Sequence, residues 1–271
     1  MNPRFLALLL VTFLVGGGLV LLLKPARQTA IAPPPIATPA TPKTATVEQA
    51  SRPASPGDQF LILAASWQPA FCETARDKPE CQSLGRRRFD ATHFALHGLW
   101  PEDDYCGVSQ TRRKSDETGR WAQLPPVELD TPTRAALDQA MPGTRSQLER
   151  HEWTKHGTCY GEDADRYFGT AMLLLASLNA SEVQTLFAAN IGRQLSARRI
   201  RAAFDDAFGP GAGDRVKIAC AEDGDRRIIT EITLGLYGTP GDTPNLGQLL
   251  LTARPTSPGC EGGIVDAVGL Q

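Results

Sequence analysis

Six cysteines, at positions 72, 81, 106, 159, 220 and 260, constrain this chain of 271 residues more than any other feature. Their number is even, and no two form the C-x-x-C pair that marks a zinc site or a redox motif. Disulfide cross-linking accounts for them. Disulfides persist only in oxidising compartments, so this reading requires export, and the N-terminus supplies a signal for it. Residues 5–23 form an uncharged apolar run between Arg4 and Lys24-Pro25. The run is longer than the usual signal-peptide core of about 7–15 residues and approaches the roughly 20 of a spanning helix. Gly16-Gly17-Gly18 weakens a helix, and Ala30-Ile31-Ala32 offers a small-x-small cleavage site. Basic residues flank both ends, so charge does not decide between a cleaved signal peptide and a single-span membrane anchor over residues 1–24. Both readings export the remainder, to the periplasm or the extracellular space, and the second tethers it to the membrane.

Residues 25–57 are rich in Pro, Ala and Thr and hold too few large apolar groups to offset chain entropy. They read as a disordered, semi-rigid linker with polyproline bias. Residues 58–271 are then one globular domain. Five of the 28 Lys and Arg residues but only one of the 30 acidic residues precede residue 58, which leaves 23 against 29 and a balance of −6. A protein that holds nucleic acid by counterion release should be basic. Any contact with a polyanion is therefore expected to be local and transient, which suits an enzyme better than a storage or regulatory binder.

The domain opens with the apolar run 60–67, which reads as a buried strand, and residues 92–97 read as another. Helical spacing follows over 133–140, 147–156, 164–178, 181–191 and 196–208, with Asp, Asn or Ser ahead of several of these segments. Residues 216–219 and 228–236 suggest a hairpin across the Glu222-Asp223-Gly224-Asp225 turn, and 248–253 suggests a further strand. Without βαβ repetition the expectation is an α+β domain with a central, mostly antiparallel sheet flanked by several helices.

All four histidines fall in two windows, 92–101 (His93, His97) and 151–156 (His151, His156). His93 reads as an ordinary surface or core residue. His151-Glu152-Trp153-Thr154-Lys155-His156 looks at first like a zinc-protease helix, but its histidines are i,i+5. At about 100° per residue they diverge by about 140°, whereas zinc ligands at i,i+4 lie within about 40°. What aligns instead is Glu152 with Lys155 and His156. A carboxylate, an ammonium and an imidazole on one face suit phosphoryl chemistry, the imidazole exchanging protons near neutral pH and the ammonium neutralising a phosphorane. The plain alternative is an exposed salt-bridge face worth about 0.2–0.5 kcal/mol.

The first window tips that balance. Phe94-Ala-Leu-His97-Gly-Leu-Trp100-Pro101 and the second window together resemble the two active-site segments of the ribonuclease T2 family, and are most similar to its bacterial periplasmic branch. The resemblance spans roughly residues 60–260 and includes Ser66-Trp-Gln-Pro69 leading into Cys72. It implies a metal-independent, cofactor-free endoribonuclease acting on single-stranded RNA, with His156 as base, His97 as acid, and Glu152 and Lys155 as transition-state residues. His151 would bind the phosphate. Trp100 would stack a base or support His97, with a plain core tryptophan as the other reading. Some members carry Asp two residues after this tryptophan for base recognition, where this chain has Glu102, so low base specificity is expected. The resemblance also implies the pairs Cys106–Cys159 and Cys220–Cys260 and the local pair Cys72–Cys81. A monomer that leaves DNA intact is expected. The competing reading is a catalytically silent secreted RNA-binding protein of the same fold, which the presence of all four reactive side chains disfavours.

Overall fold

A computed structural model describes residues 57–269, which lie within one compact unit, Ser51–Gln271. The leader and nearly all of the linker expected from the sequence fall outside the described residues. The strands are β1 (Gln59–Ser66), β2 (Ala95–Pro101), β3 (Gln194–Ser196), β4 (Val216–Asp223), β5 (Arg226–Gly238) and β6 (Gly262–Ile264). The helices are α1 (Gln68–Thr74), α2 (Pro79–Gln82), α3 (Gln110–Glu117), α4 (Thr131–Ala140), α5 (Leu148–Lys155), α6 (Ala164–Asn179), α7 (Glu182–Ala189), α8 (Ala197–Phe208) and α9 (Leu246–Thr252). The fold is α+β. Its sheet runs β2-β1-β5-β6-β3, with β4 also paired to β5, and every pairing is antiparallel except β5 with β6.

The apolar run that opens the domain becomes β1 because it lies inside the sheet, between β2 and β5, where Leu63, Ala64 and Ala65 are all sequestered. Helix α6 packs against β1 and β2, and its Tyr167 hydroxyl donates to the Leu99 carbonyl of β2 at 2.8 Å. Side-chain caps start the long helices where the sequence places them: Asp130 accepts from Thr133 N, Asp163 from Arg166 N and Ser196 from Arg199 N.

Residues 248–252 lie in α9, with Ala253 as its C-cap, and do not form the strand expected over 248–253 from their apolar character. Asn245 caps this helix by accepting from Gln248 N, and Leu246, Leu249 and Leu250 bury one face. That cap and the i,i+3,i+4 spacing outweigh the run of leucines that suggested a strand. The disulfides are Cys72–Cys81, Cys106–Cys159 and Cys220–Cys260. The second joins the segment after β2 to the segment after α5, and Tyr105 N donates to Lys155 O at 2.7 Å in the same place.

Candidate active site

Two backbone irregularities aim the site. On β1, Ala64 pairs with Gly98 and Ala65 with Leu96, so His97 is an extra residue in β2. In an unbroken strand residues 97 and 100 would point to opposite faces. The bulge brings both to one face, with the His97 and Trp100 rings 5.2 Å apart. The second irregularity is the end of α5. The helix stops at Lys155, one residue short of expectation, and His156 caps it with φ −108° and ψ −49° before the 3-10 turn Gly157–Cys159. This corrects the helical-wheel divergence expected of His151 and His156. Their rings lie 6.1 Å apart, and donor atoms of His151, Glu152 and His156 all fall within 4.8 Å of one another. Spacing alone therefore does not exclude a shared cation.

Trp100 stands between the two key imidazoles, 5.2 Å from the His97 ring and 5.4 Å from the His156 ring. Its Nε1 donates to Glu152 Oε2 at 2.9 Å. Glu152 is completely buried, and its other oxygen, without a hydrogen-bond partner among the described residues, lies 3.6 Å from His97 Nε2 and 3.8 Å from His151 Nε2. Burial raises its pKa, against the opposing charges of His97 and His151, the Trp100 hydrogen bond and the Lys155 charge. Lys155 Nζ sits 3.9 Å from Asp104.

The two imidazoles are driven in opposite directions. Burial would lower the His97 pKa, but the hydrogen bond from Nδ1 to Glu231 Oε2 (2.6 Å) and the charges of Glu152 and Glu231 outweigh burial and the repulsion of Lys155, and raise it above 6.5. His156 is lowered to about 3, by burial first and then by the charges of Lys155, His151 and His97. Asp104 Oδ1 comes within 3.0 Å of His156 Nδ1, which favours the cation. That carboxylate is half exposed and out of line for a hydrogen bond, so its attraction is screened and the lowering stands.

Four participants were not visible in the sequence. Glu231 orients His97 from 134 residues away. Asp116 accepts from His151 Nδ1 at 2.8 Å, Trp121 stacks on the same ring at 4.8 Å, and Asp104 faces His156. Only the topology brings them in. One expected residue, Glu102, stands outside the cluster, exposed and paired with Arg254 at 3.0 Å, and His93, read as an ordinary residue, also lies outside it, stacked on Phe89. Beside His97 opens a cleft of about 290 Å³, lined by Phe71, Lys78, Trp121, Leu148 and Glu231 among others.

A raised and a lowered imidazole flank one indole, with a buried carboxyl and an ammonium beside them, on a disulfide-bonded α+β scaffold, an arrangement whose chemistry suits paired proton donation and acceptance. The family model described as "Ribonuclease T2 family" matches residues 58–245. The chain belongs to the ribonuclease T2 family. Ribonuclease I of Escherichia coli (strain K12) is 32% identical over 207 residues, which cover 68% of this chain and 76% of that protein. Ribonuclease S-7 of Nicotiana alata is 28% identical over 130 residues, 43% of this chain and 50% of the relative. Among solved structures, Japanese pear S3-RNase superposes with a TM-score of 0.49 at 16% identity, covering 76% of this chain and 98% of that one.

Proposed function

We propose that the protein is an exported, monomeric endoribonuclease that cleaves single-stranded RNA by internal attack of the ribose 2′-hydroxyl. The observation that carries this reading is the opposed proton preference of His97 and His156 on either side of Trp100. The lowering of His156 favours its free base and the raising of His97 favours its cation, the states needed at the start of the reaction. His156 takes the 2′-hydroxyl proton as that oxygen bonds to phosphorus. The bond from phosphorus to the 5′-oxygen breaks, and His97 delivers its proton to the departing oxygen. The product is a 2′,3′-cyclic phosphate. Water then opens the ring with roles exchanged: neutral His97 accepts a water proton, His156 returns its proton to the 2′-oxygen, and a 3′-phosphate remains. Lys155 neutralises the phosphorane, Glu152 supports the charge that His97 carries into the transition state and seats Trp100, and His151, locked by Asp116 and Trp121, holds the phosphate. Trp100 supports both imidazoles, and the apolar and aromatic walls of the cleft beside His97 suit a base. The pairing of Glu102 with Arg254 supports weak base discrimination at that position.

The test uses the purified protein in EDTA with the sixteen ribodinucleoside phosphates, a longer RNA and the matching DNA. Cyclic phosphate followed by 3′-phosphate ends is expected, with no base favoured more than about a hundredfold and no DNA cleavage, since only RNA carries the nucleophile. Activity lost in EDTA and restored by a divalent metal would instead assign His151, Glu152 and His156 to a cation. RNA bound but uncut would favour the silent binding protein.

The pH profile follows from the same pair. With His97 acting as acid, kcat/KM declines as pH rises through its raised pKa, while the acid limb lies near the value of about 3 to which His156 is lowered. Glu231→Gln removes the largest influence that raises His97 and leaves burial dominant. Its alkaline limb is expected to move to lower pH, with the acid limb unmoved. An unchanged alkaline limb in the kcat/KM profile would remove Glu231 from the site.

A further inference from the structure

We propose that a second surface, built from Arg86, Arg87, Phe89 and Arg145, binds the RNA strand where it leaves the catalytic cleft. The guanidinium groups would hold backbone phosphates, and the Phe89 ring would stack one base. The inference rests on the ribonuclease reading above and adds a site outside the acid–base cluster.

Charge is the first observation. The residues from 58 onward carry a net −6, yet Arg86, Arg87 and Arg145 are exposed and have no carboxylate within ion-pair distance among the described residues. Arg88, between them, is structural: it grips Asp90 through Nε (2.9 Å) and Nη2 (2.5 Å). Arg145 and Arg88 both donate to Ser83 Oγ at 3.0 Å, which holds the Arg145 cation close to this run. Local positive charge on an acidic protein attracts a polyanion to one place without gripping it everywhere.

The second observation is an aromatic group without a core to serve. Phe89 is 56% exposed and stacks on His93 at 3.9 Å and 17°. It shares with Arg145 and Met172 a cavity of about 530 Å³. Two acidic side chains line that wall, and both have arginine partners: Asp90 is held by Arg88 at 2.5 Å, and Asp138 lies 3.9 Å from Arg134. An exposed ring among unpaired arginines is the arrangement that holds single strands without reading sequence.

Position is the third. The 3-10 turn Pro142–Ser146 separates this cavity from the cleft beside His97: Gly143 and Ser146 line the cleft, and Arg145 lines the cavity. Ser146 Oγ donates to Glu80 Oε1 at 3.0 Å, fixing the turn against α2. On the cleft side Lys78 stands 4.9 Å from the Trp121 ring. Lys78, Arg145 and the Arg86–Arg87 run thus give positive charge on both sides of one turn of chain, the path a strand would follow out of the cleft.

The experiment compares the wild type with Arg86→Glu/Arg87→Glu and Phe89→Ala on a ribodinucleoside phosphate and a twelve-nucleotide RNA. It also measures binding of the 2′-O-methyl twelve-mer, which cannot be cut, by fluorescence anisotropy at several salt concentrations. KM for the twelve-mer is expected to rise about tenfold in the charge-reversal variant and several-fold in Phe89→Ala, with kcat/KM on the dinucleotide within twofold of wild type. The salt slope of twelve-mer binding should flatten by about 0.7 for each phosphate that the variant no longer neutralises. Equal losses on both substrates, or none on the twelve-mer, would overturn the proposal. So would loss of binding to anionic phospholipid vesicles alone, which would make the patch a membrane-binding surface. If the wild type cuts neither substrate but binds the 2′-O-methyl strand through these arginines, the surface stands and the cleavage reading fails.

Discussion

His156→Ala is expected to lower kcat/KM on RNA by about 10³–10⁴-fold, and His97→Ala by a similar factor, each keeping Tm within a few degrees of wild type. The two losses separate when the leaving group is changed. On a uridine 3′-nitrophenyl phosphate the departing phenolate needs no proton. His97→Ala should recover most of its activity there, whereas His156→Ala should remain inactive because the 2′-hydroxyl still requires a base. Exchange of these outcomes would reverse the assignment and contradict the opposed pKa directions of the pair. The double variant should be little worse than either single one, since the two groups act as a unit. Full recovery of both variants on the activated substrate would mean that neither is the base. Stability is expected to hold because His97 keeps about a third of its side chain accessible and the segment around His156 is tied by Cys106–Cys159.

The sequence carried the chemistry further than the geometry. His97, Glu152, Lys155 and His156 are visible because two short windows concentrate unusual residue types, and the long helices because Asp130, Asp163 and Ser196 cap them. Partners that arrive through the sheet leave no local trace. Glu231 reaches His97 because β1 lies between β2 and β5, with Glu231 opposite Ser66 and Ser66 opposite Ala95, a register no spacing rule encodes. The bulge at His97 is equally silent, since Ala-Leu-His-Gly-Leu reads as an ordinary strand. Where a local rule was extended past its range it failed: 100° per residue separates His151 from His156 only while the helix continues, and it ends at Lys155. The leucines of α9 misled in the opposite sense, because a short apolar run fits strand and helix alike until a cap such as Asn245 decides.

Gly98→Ala is expected to lower kcat about a hundredfold or more through a single methyl group that touches no substrate. A Cβ at this position would lie 1.9 Å from Glu152 Oε2 and 2.6 Å from both Glu152 Cδ and Trp100 Nε1. The 2.9 Å hydrogen bond between those two side chains therefore passes through the space that only glycine leaves empty. Glu152 is fully enclosed and has no room to retreat, so the carboxyl, the indole or the bulged segment of β2 must move. Each of these carries part of the site. Trp100 sets the distance to both imidazoles, and Glu152 faces His97 at 3.6 Å. A displacement of about 1 Å in a positioned group is enough for a hundredfold loss. Overpacking of this kind costs about 1–3 kcal/mol, or roughly 2–4 °C in Tm per kcal/mol for a domain of this size. Gly235→Ala on β5 supplies the control, because its Cβ would meet nothing nearer than 3.6 Å, an ordinary contact. That variant should keep wild-type kinetics and stability. Steady-state kinetics and thermal melts of the two variants side by side check the claim, and a Gly98→Ala enzyme with kcat within threefold of wild type would mean that the seat of Glu152 against Trp100 is not what holds the site in register.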